Sequence, residues 1–331
     1  YEYVDRLIGK KIGNDMIRSI AESLDMKVLS ETETGLELDV PAYRVDVQRP
    51  CDVVEDILRI YGYNNVEIPT QLKSSLTILG EEDKAYHRQN VIGEQLVGCG
   101  FREIMNNSLT KTAYYTGLNR YTEETTVKVM NPLSSDLGVM RQTLLFGGLE
   151  SICRNVNHKM PNLRFFEFGN CYHYSPEKKN DEDPVKAYTE EMHLGIWITG
   201  KRVEGSWAHA DEASSFYELK ADVQNIFTRL GVNPGIVVTE TSDNDIFGKG
   251  LALKARNGKI LCELGIVSHK LLKNSDIDQN VFFADINWNN LMRAIKKNEV
   301  IYHDISKFPS VSRDLALLID KSVQFEQIEQ I

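Results

Sequence analysis

The chain has 331 residues, of which 42% are hydrophobic and 26% charged, with a formal net charge of −10. This is ordinary globular material, long enough for two or three domains. The acidic balance argues against a bulk nucleic-acid binder, no apolar run is long enough to cross a bilayer, and nothing near Tyr1 reads as a signal peptide.

Residues 1–70 read as a small α+β unit. Asn14 is placed to cap a helix in which Ile17, Ile20, Ala21 and Leu24 recur at helical spacing. Val28-Leu29, then Leu36, Leu38 and Val40 alternating with Glu37 and Asp39, read as a hairpin turning at Thr34-Gly35. A short strand is expected into Arg44-Val45-Asp46, and Ile68-Pro69-Thr70 closes the unit. Two helices with a hairpin also describe a winged DNA-binding module. The acidic second helix opposes that reading, because a helix facing phosphates needs Lys and Arg.

That second helix starts at Pro50, well placed at a first helical position, and runs to about Tyr61, with Gly62 just past its end. Asp52, Glu55 and Asp56 share one face at i, i+3 and i+4, and Asp46 could fold back towards them. Four converging carboxylates need a cation, and oxygen-only donors suit Mg2+ rather than zinc. The same residues have a reading without metal: first-turn carboxylates favour the helix dipole, and Arg59 can pair with Glu55. Arg44-x-Asp46, Asp52, Glu55-Asp56 and Arg59-x-Tyr61-Gly62-Tyr63 resemble the signature of the β subunit of bacterial phenylalanyl-tRNA synthetases. The resemblance implies that Asp46, Asp52, Glu55 and Asp56 bind a Mg2+ ion shared with the α subunit. The family more often has glutamate at the fourth position, so Asp56 is one methylene short.

Glu81–Val97 reads as an amphipathic helix, broken at Gly98-Cys99-Gly100 before a strand at Phe101–Ile104. Helix, glycine break and Gly-Phe-x-Glu-Ile strand resemble the first motif of class II aminoacyl-tRNA synthetases, whose helix lies at a subunit interface. Asn131-Pro132-Leu133-Ser134, Met140-Arg141-x-x-Leu144-Leu145, a helix to about Asn157 and the Phe166-Glu167-x-Gly169 run follow. In this order they resemble the synthetase-like module of the same β subunit. Active class II members carry a phosphate-gripping arginine on the strand corresponding to Gly169–His173. Here Asn170 and His173 stand instead, and asparagine has no guanidinium fork.

Ser175–Glu191 reads as a solvated charged loop, Met192–Gly200 as a strand and Phe216–Leu230 as a helix. Phe247-Gly248-Lys249-Gly250-Leu251 fails the P-loop spacing and reads as a glycine-supported turn ahead of a strand at Leu251, Leu253 and Ala255. Val281–Met292 stands where class II enzymes place an adenine-stacking arginine, yet it has neither glycine nor arginine. After Lys296-Lys297-Asn298, Leu315, Leu317 and Ile319 alternate as a strand and Phe325, Ile328 and Ile331 begin a helix. Phe308-Pro309-x-x-x-Arg313-Asp314-Leu315 resembles the opening of the ferredoxin-fold anticodon-binding domain that ends the β subunit.

The five cysteines are scattered without C-x-x-C, and His87, His158, His193, His209, His269 and His303 show no metal-ligand pairing. A reducing cytoplasm fits. A first residue other than Met and a periodic pattern cut at Ile331 mark the chain as a piece of a longer protein. The resemblance implies an α+β chain in three parts. Residues 1–72 form the magnesium-site domain, 73–300 a class II module without catalytic residues, and 301–331 a truncated ferredoxin-like start. It further implies an enzyme of two α and two β chains that joins phenylalanine to tRNA(Phe). ATP is used only through the α subunit, and neither membrane nor DNA is a partner. A self-sufficient amino-acid-activating enzyme is opposed by the missing arginines, and a regulatory or DNA-binding protein by the acidity.

Overall fold

Two compact units, Tyr1–Ile78 and Leu79–Ile331, divide the chain in the computed structural model, which describes residues 1–68, 71, 80–296, 302, 304–323 and 325–329. The boundaries expected at 72/73 and 300/301, with Pro69, Thr70, Lys297, Asn298, His303 and Ile331, lie outside the described residues. Among the described residues no helix is long and apolar enough to cross a membrane.

In the first unit, α1 (Glu2–Ile8), which periodicity did not reveal, ends at Gly9 with φ +81°. Helix α2 spans Asn14–Ser23. The cap position is Gly13 rather than Asn14, because the chain enters the helix at φ +98°, a conformation glycine adopts without strain. Strands β1 (Lys27–Glu31) and β2 (Leu36–Asp39) pair antiparallel as the expected hairpin. Helix α3 (Pro50–Tyr61) follows, and Ile8, Ile17, Ile20, Val54 and Ile57 close the core. The strand expected into Arg44–Asp46 is replaced by two turns, Arg44 N–H to Pro41 O and Val47 N–H to Arg44 O. With the chain turned in this way the Arg44 guanidinium meets Asp56 of α3 and Asp46 of its own segment.

The second unit starts with α4 (Glu81–Gly98), β3 (Arg102–Glu103), a short pair of β4 (Leu109–Thr110) with β5 (Val139–Met140), and α5 (Leu145–Asn157). The long strands β6 (Leu163–Tyr174) and β7 (Tyr188–Thr199) then pair antiparallel over their full length. A side ladder of β8 (Lys201–Val203) with β9 (Glu212–Ala213) leads to α6 (Phe216–Arg229). Strands β10 (Val237–Thr241), β11 (Phe247–Ala255) and β12 (Ile260–Val267), helix α7 (His269–Asn274), β13 (Val281–Asn287) and α8 (Trp288–Ala294) follow. The sheet order is β10-β11-β12-β13-β7-β6-β3, antiparallel throughout except for the parallel β3–β6 edge. The architecture is mixed α+β, a central sheet between helices.

Period-2 alternation gives this sheet two different faces. On one, Phe166, Leu194, Ile196, Ile198, Phe282, Ala284 and Ile286 pack with Ile92 and Leu96 of α4, Leu219 and Val223 of α6, and Trp288 of α8. On the other, Phe165, Trp197, Phe283 and Phe247 pack with Leu145, Leu149 and Ile152 of α5 and Leu271 of α7. Gly148 makes that contact possible, since a Cβ there would collide with the Trp197 indole.

Three local expectations change. The charged loop ends at Ala187, because Tyr188–Glu191 pair with Cys171–Tyr174 and extend β7. Phe247–Gly250 are no turn: they belong to β11, where Gly250 faces Gly265 across the ladder and lies against the Phe247 ring. Leu315, Leu317 and Ile319 form no strand, having no ladder partner among the described residues, and are exposed; a helix α9 (Phe325–Glu329) follows.

Candidate functional site

The acidic set of the first unit is built around the start of α3. Arg49 takes the cap position with extended backbone, and Pro50 opens the helix. Asp52 reaches back to accept the N–H groups of Arg49 (2.8 Å) and Gln48 (3.0 Å) through Oδ2. Those two bonds hold its carboxyl down at about 2. Arg44 Nη2 donates to Asp46 Oδ2 at 3.0 Å and to Asp56 Oδ2 at 2.5 Å. The bond to Arg44 lowers the pKa of Asp46. Arg59 Nη1 donates to Asp56 Oδ1 at 3.1 Å, so Arg59 pairs at i−3 with Asp56 and not at i−4 with Glu55.

The four expected ligands therefore divide. Asp46 and Asp56 meet on Arg44, Asp52 serves the helix start, and Glu55 is exposed. Among the described residues no group of three or more His, Cys, Asp or Glu side chains is placed to hold a metal ion. The donor chemistry fits a hard cation. The geometry commits the oxygens of Asp46, Asp52 and Asp56 to guanidinium groups and backbone N–H instead, and leaves Glu55 facing solvent.

In the second unit the second face of the sheet turns polar where β6, β7, β12 and β13 run past the apolar cluster. Register puts Glu167 and Asp285 on either side of Gly195, Gly169 and Asn287 on either side of His193, and Glu263 beside Asp285. Glu167 is fully buried and accepts from Arg141 Nη1 at 2.6 Å and from Asn106 Nδ2 at 2.6 Å. Arg141 also donates through Nε to Asn170 O at 2.9 Å. Its guanidinium lies over Gly169, where a Cβ would collide with Nη2. His193 Nδ1 is 2.6 Å from Asp285 Oδ1, and Asn287 Nδ2 donates to Glu191 Oε2 at 2.9 Å. Burial alone would lower the pKa of His193; the charge and hydrogen bond of Asp285, with Glu191, raise it to about 9. His193, whose Nε2 lies 3.9 Å from Glu191 Oε2, holds the Glu191 carboxyl down at about 2. Burial first, and the His193 charge second, lower the pKa of His173.

Glu263 accepts from Ser242 (2.8 Å) and Asn244 (3.1 Å), with Arg120 at 3.7 Å. The Asn170 amide donates to Glu190. Beyond Val281–Met292 comes Arg293, exposed in the last turn of α8 and 3.4 Å from Asn290 Oδ1. Beside α5 opens a cleft of about 750 Å³ into which Asn106, Lys111, Tyr114, Arg141 and Arg154 turn. Each carboxylate named on the polar face has an internal donor, and both of its guanidinium groups face a carboxylate. Arg141, the buried guanidinium of this face, is engaged with Glu167 and with Asn170 O.

The description "Phenylalanyl tRNA synthetase beta chain CLM domain" matches residues 68–288, two thirds of the chain, and "tRNA synthetase B5 domain" matches residues 1–63. The chain belongs to the phenylalanyl-tRNA synthetase β-chain family. It is 58% identical over 331 residues to the phenylalanine–tRNA ligase β subunit of Bacteroides fragilis (strain YCH46), and 46% identical to that of Porphyromonas gingivalis (strain W83). In both comparisons all of this chain aligns with 40% of the relative. The chain thus spans about 40% of the length of the curated relatives it matches. A pyrrolysyl-tRNA synthetase from Desulfitobacterium hafniense aligns with 64% of this chain and 69% of its own at 12% identity, with a TM-score of 0.48; at that score the likeness carries no argument. The family read from Arg44-x-Asp46 and the Phe166-Glu167-x-Gly169 run is therefore shown.

Arg141–Glu167 and His193–Asp285 were not legible as partners. They stand 26 and 92 residues apart, and no periodicity links such positions. The one available signal lay in runs already quoted, where an arginine and a glutamate recur among apolar residues.

Proposed function

We propose that this chain is a fragment of a phenylalanyl-tRNA synthetase β subunit and acts as a scaffold for the catalytic α subunit. In the whole enzyme, two α and two β chains attach phenylalanine to tRNA(Phe) with ATP in the cytoplasm. Residues 1–72 are the magnesium-site domain, 73–300 a class II-like module without catalytic residues, and 301–331 the start of the anticodon-binding domain. Forming an aminoacyl adenylate develops charge at the α-phosphate as pyrophosphate leaves, and fixed cationic donors must meet it. The observation that carries the reading is the guanidinium of Arg141, buried over Gly169 and engaged with Glu167 and Asn170 O. A phosphate there would have to break a buried ion pair, so ATP is handled by the α subunit alone.

Asp46, Asp52, Glu55 and Asp56 are proposed as the ligands of a Mg2+ ion shared with α. Their all-oxygen chemistry supports this. Co-expression with a phenylalanyl-tRNA synthetase α subunit tests the scaffold role. A complex that survives size-exclusion chromatography is expected; separate elution of the two chains would contradict it.

A further inference from the structure

The start of α6 holds a negative charge that the chain does not balance. Glu218 and Asp222, one helical turn apart, line a cavity of about 450 Å³ with Arg164 of β6, Arg202 of β8, Ser215 and Tyr217. That is within the size range of ligand pockets. The Glu218 side chain is nine-tenths buried, at 10% exposed. Among the described residues no donor hydrogen-bonds to either Glu218 carboxylate oxygen or to the buried Asp222 Oδ2, and buried acceptors are seldom left in that state. Both cations of the cavity are already taken. Arg164 is ion-paired with Glu218 and lies over the Phe101 ring, and Arg202 is paired with Glu212 at 3.3 Å. Asp222 is left without a counter-ion of its own, and burial raises its pKa against the pull of Arg164.

We propose that this cavity is a binding site for an organic cation, a guanidinium or alkylammonium group that comes from outside the chain and is received by Asp222 and Glu218. Two carboxylates are too few for a metal ion: among the described residues no group of three or more His, Cys, Asp or Glu side chains is placed to hold one. An anion is opposed as well, because both guanidinium groups already face carboxylates. A guanidinium or ammonium group supplies what is missing, one positive charge with several N–H donors fixed to it. Tyr217 lines the same cavity and is 79% exposed, so it stands at the mouth and gives the cation an aromatic neighbour. A basic side chain of a partner chain and a free polyamine share this chemistry.

The test titrates agmatine, which carries both groups, into the 331-residue chain at constant ionic strength. Binding is read by calorimetry and the change in Tm by circular dichroism. The native chain should bind saturably at one site, and its Tm should rise with agmatine. Asp222→Asn removes the unbalanced charge, so it should not lower the Tm of the ligand-free chain, while the Kd for agmatine should rise at least about tenfold. A purely structural Asp222 would give the reverse, a lower Tm with binding kept. Ala221 also lines the cavity, and Ala221→Lys, which brings an ammonium group from the helix itself, should raise the Tm and abolish agmatine binding. Should Asp222→Asn fail to fold, Ala221→Lys decides. Repeating the titration on the complex with an α subunit separates the two sources: a cavity filled by a side chain of that partner no longer takes agmatine, whereas one meant for a free polyamine still does. This last arm rests on the scaffold reading, and failure of the complex to form would count against that reading alone. No saturable binding by the native chain, or equal binding by the native chain and Asp222→Asn, would overturn the site.

Discussion

Arg141→Leu should cost the second unit a large share of its stability. Glu167 is 1% exposed and takes its 2.6 Å ion pair from Arg141, while Asn106 supplies its other bonds. Replacing Arg141 removes the charge but leaves the carboxylate buried on the sheet. Breaking a buried pair by removing one partner typically costs about 3–5 kcal/mol. Arg141 also donates to Asn170 O and Asn106 O, which keeps the expectation within that range rather than below it. For a domain of this size 1 kcal/mol moves Tm by about 2–4 °C, so a fall of roughly 6–20 °C is expected. The assay is thermal and urea unfolding followed by circular dichroism, with Glu167→Gln and the double variant completing a cycle. The two positions should couple strongly, the double variant losing much less than the sum of the singles. Loss at the surface pair Arg18–Glu22 should leave the transition unchanged, since exposed pairs contribute little. A transition unmoved by Arg141→Leu, or additive effects in the cycle, would refute the claim that Arg141 is the counter-ion on which buried Glu167 depends.

Two further outcomes follow from the same unit. The pKa of His193 rises from 6.5 to about 9 on folding, so its stabilising contribution is complete below 6.5 and is lost as pH climbs through 9. His173, with its pKa lowered, acts in the opposite sense and only around and below its unfolded value, so urea titrations on the alkaline side should show the decline vanish in His193→Gln; a decline kept intact would assign it to another group. Gly148→Ala places a Cβ against the Trp197 indole, which is fully buried, and should destabilise by about 1–3 kcal/mol through overpacking. Unfolding followed by tryptophan fluorescence measures this, and an unchanged midpoint would contradict the packing of α5.

Helices α2 to α6 were legible because their patterns are local, whereas the short helices α1, α7 and α8 were not. Ile17, Ile20 and Ala21 in α2, and Leu219, Val223 and Ile226 in α6, recur at helical spacing and are all buried. Sheet order was not legible, because the neighbours β13 and β7 are far apart in the chain and their pairing leaves no local trace. The acidic set was legible as residue types at a spacing, but not as geometry. The turn at Pro41–Asp46 brought Arg44 into the space, and a side chain two residues from Asp46 offers no periodic signal of where it will fold. Glycines misled at Phe247–Gly250 because close approach across a ladder, here to Gly265, demands the same residue as a turn does.

The most direct test of the scaffold reading is phenylalanine-dependent exchange of pyrophosphate into ATP by this chain alone. Losing one preorganised donor typically lowers a rate by ~100–1,000-fold. By the class II resemblance Asn170 stands where a phosphate-binding arginine is expected; Val281–Met292 has no arginine, and Arg141 is bound to Glu167. Exchange should stay at background at saturating phenylalanine, ATP and Mg2+, and appear on addition of the α subunit. Exchange well above background after rigorous removal of any α subunit would contradict the account and make the chain an enzyme in its own right.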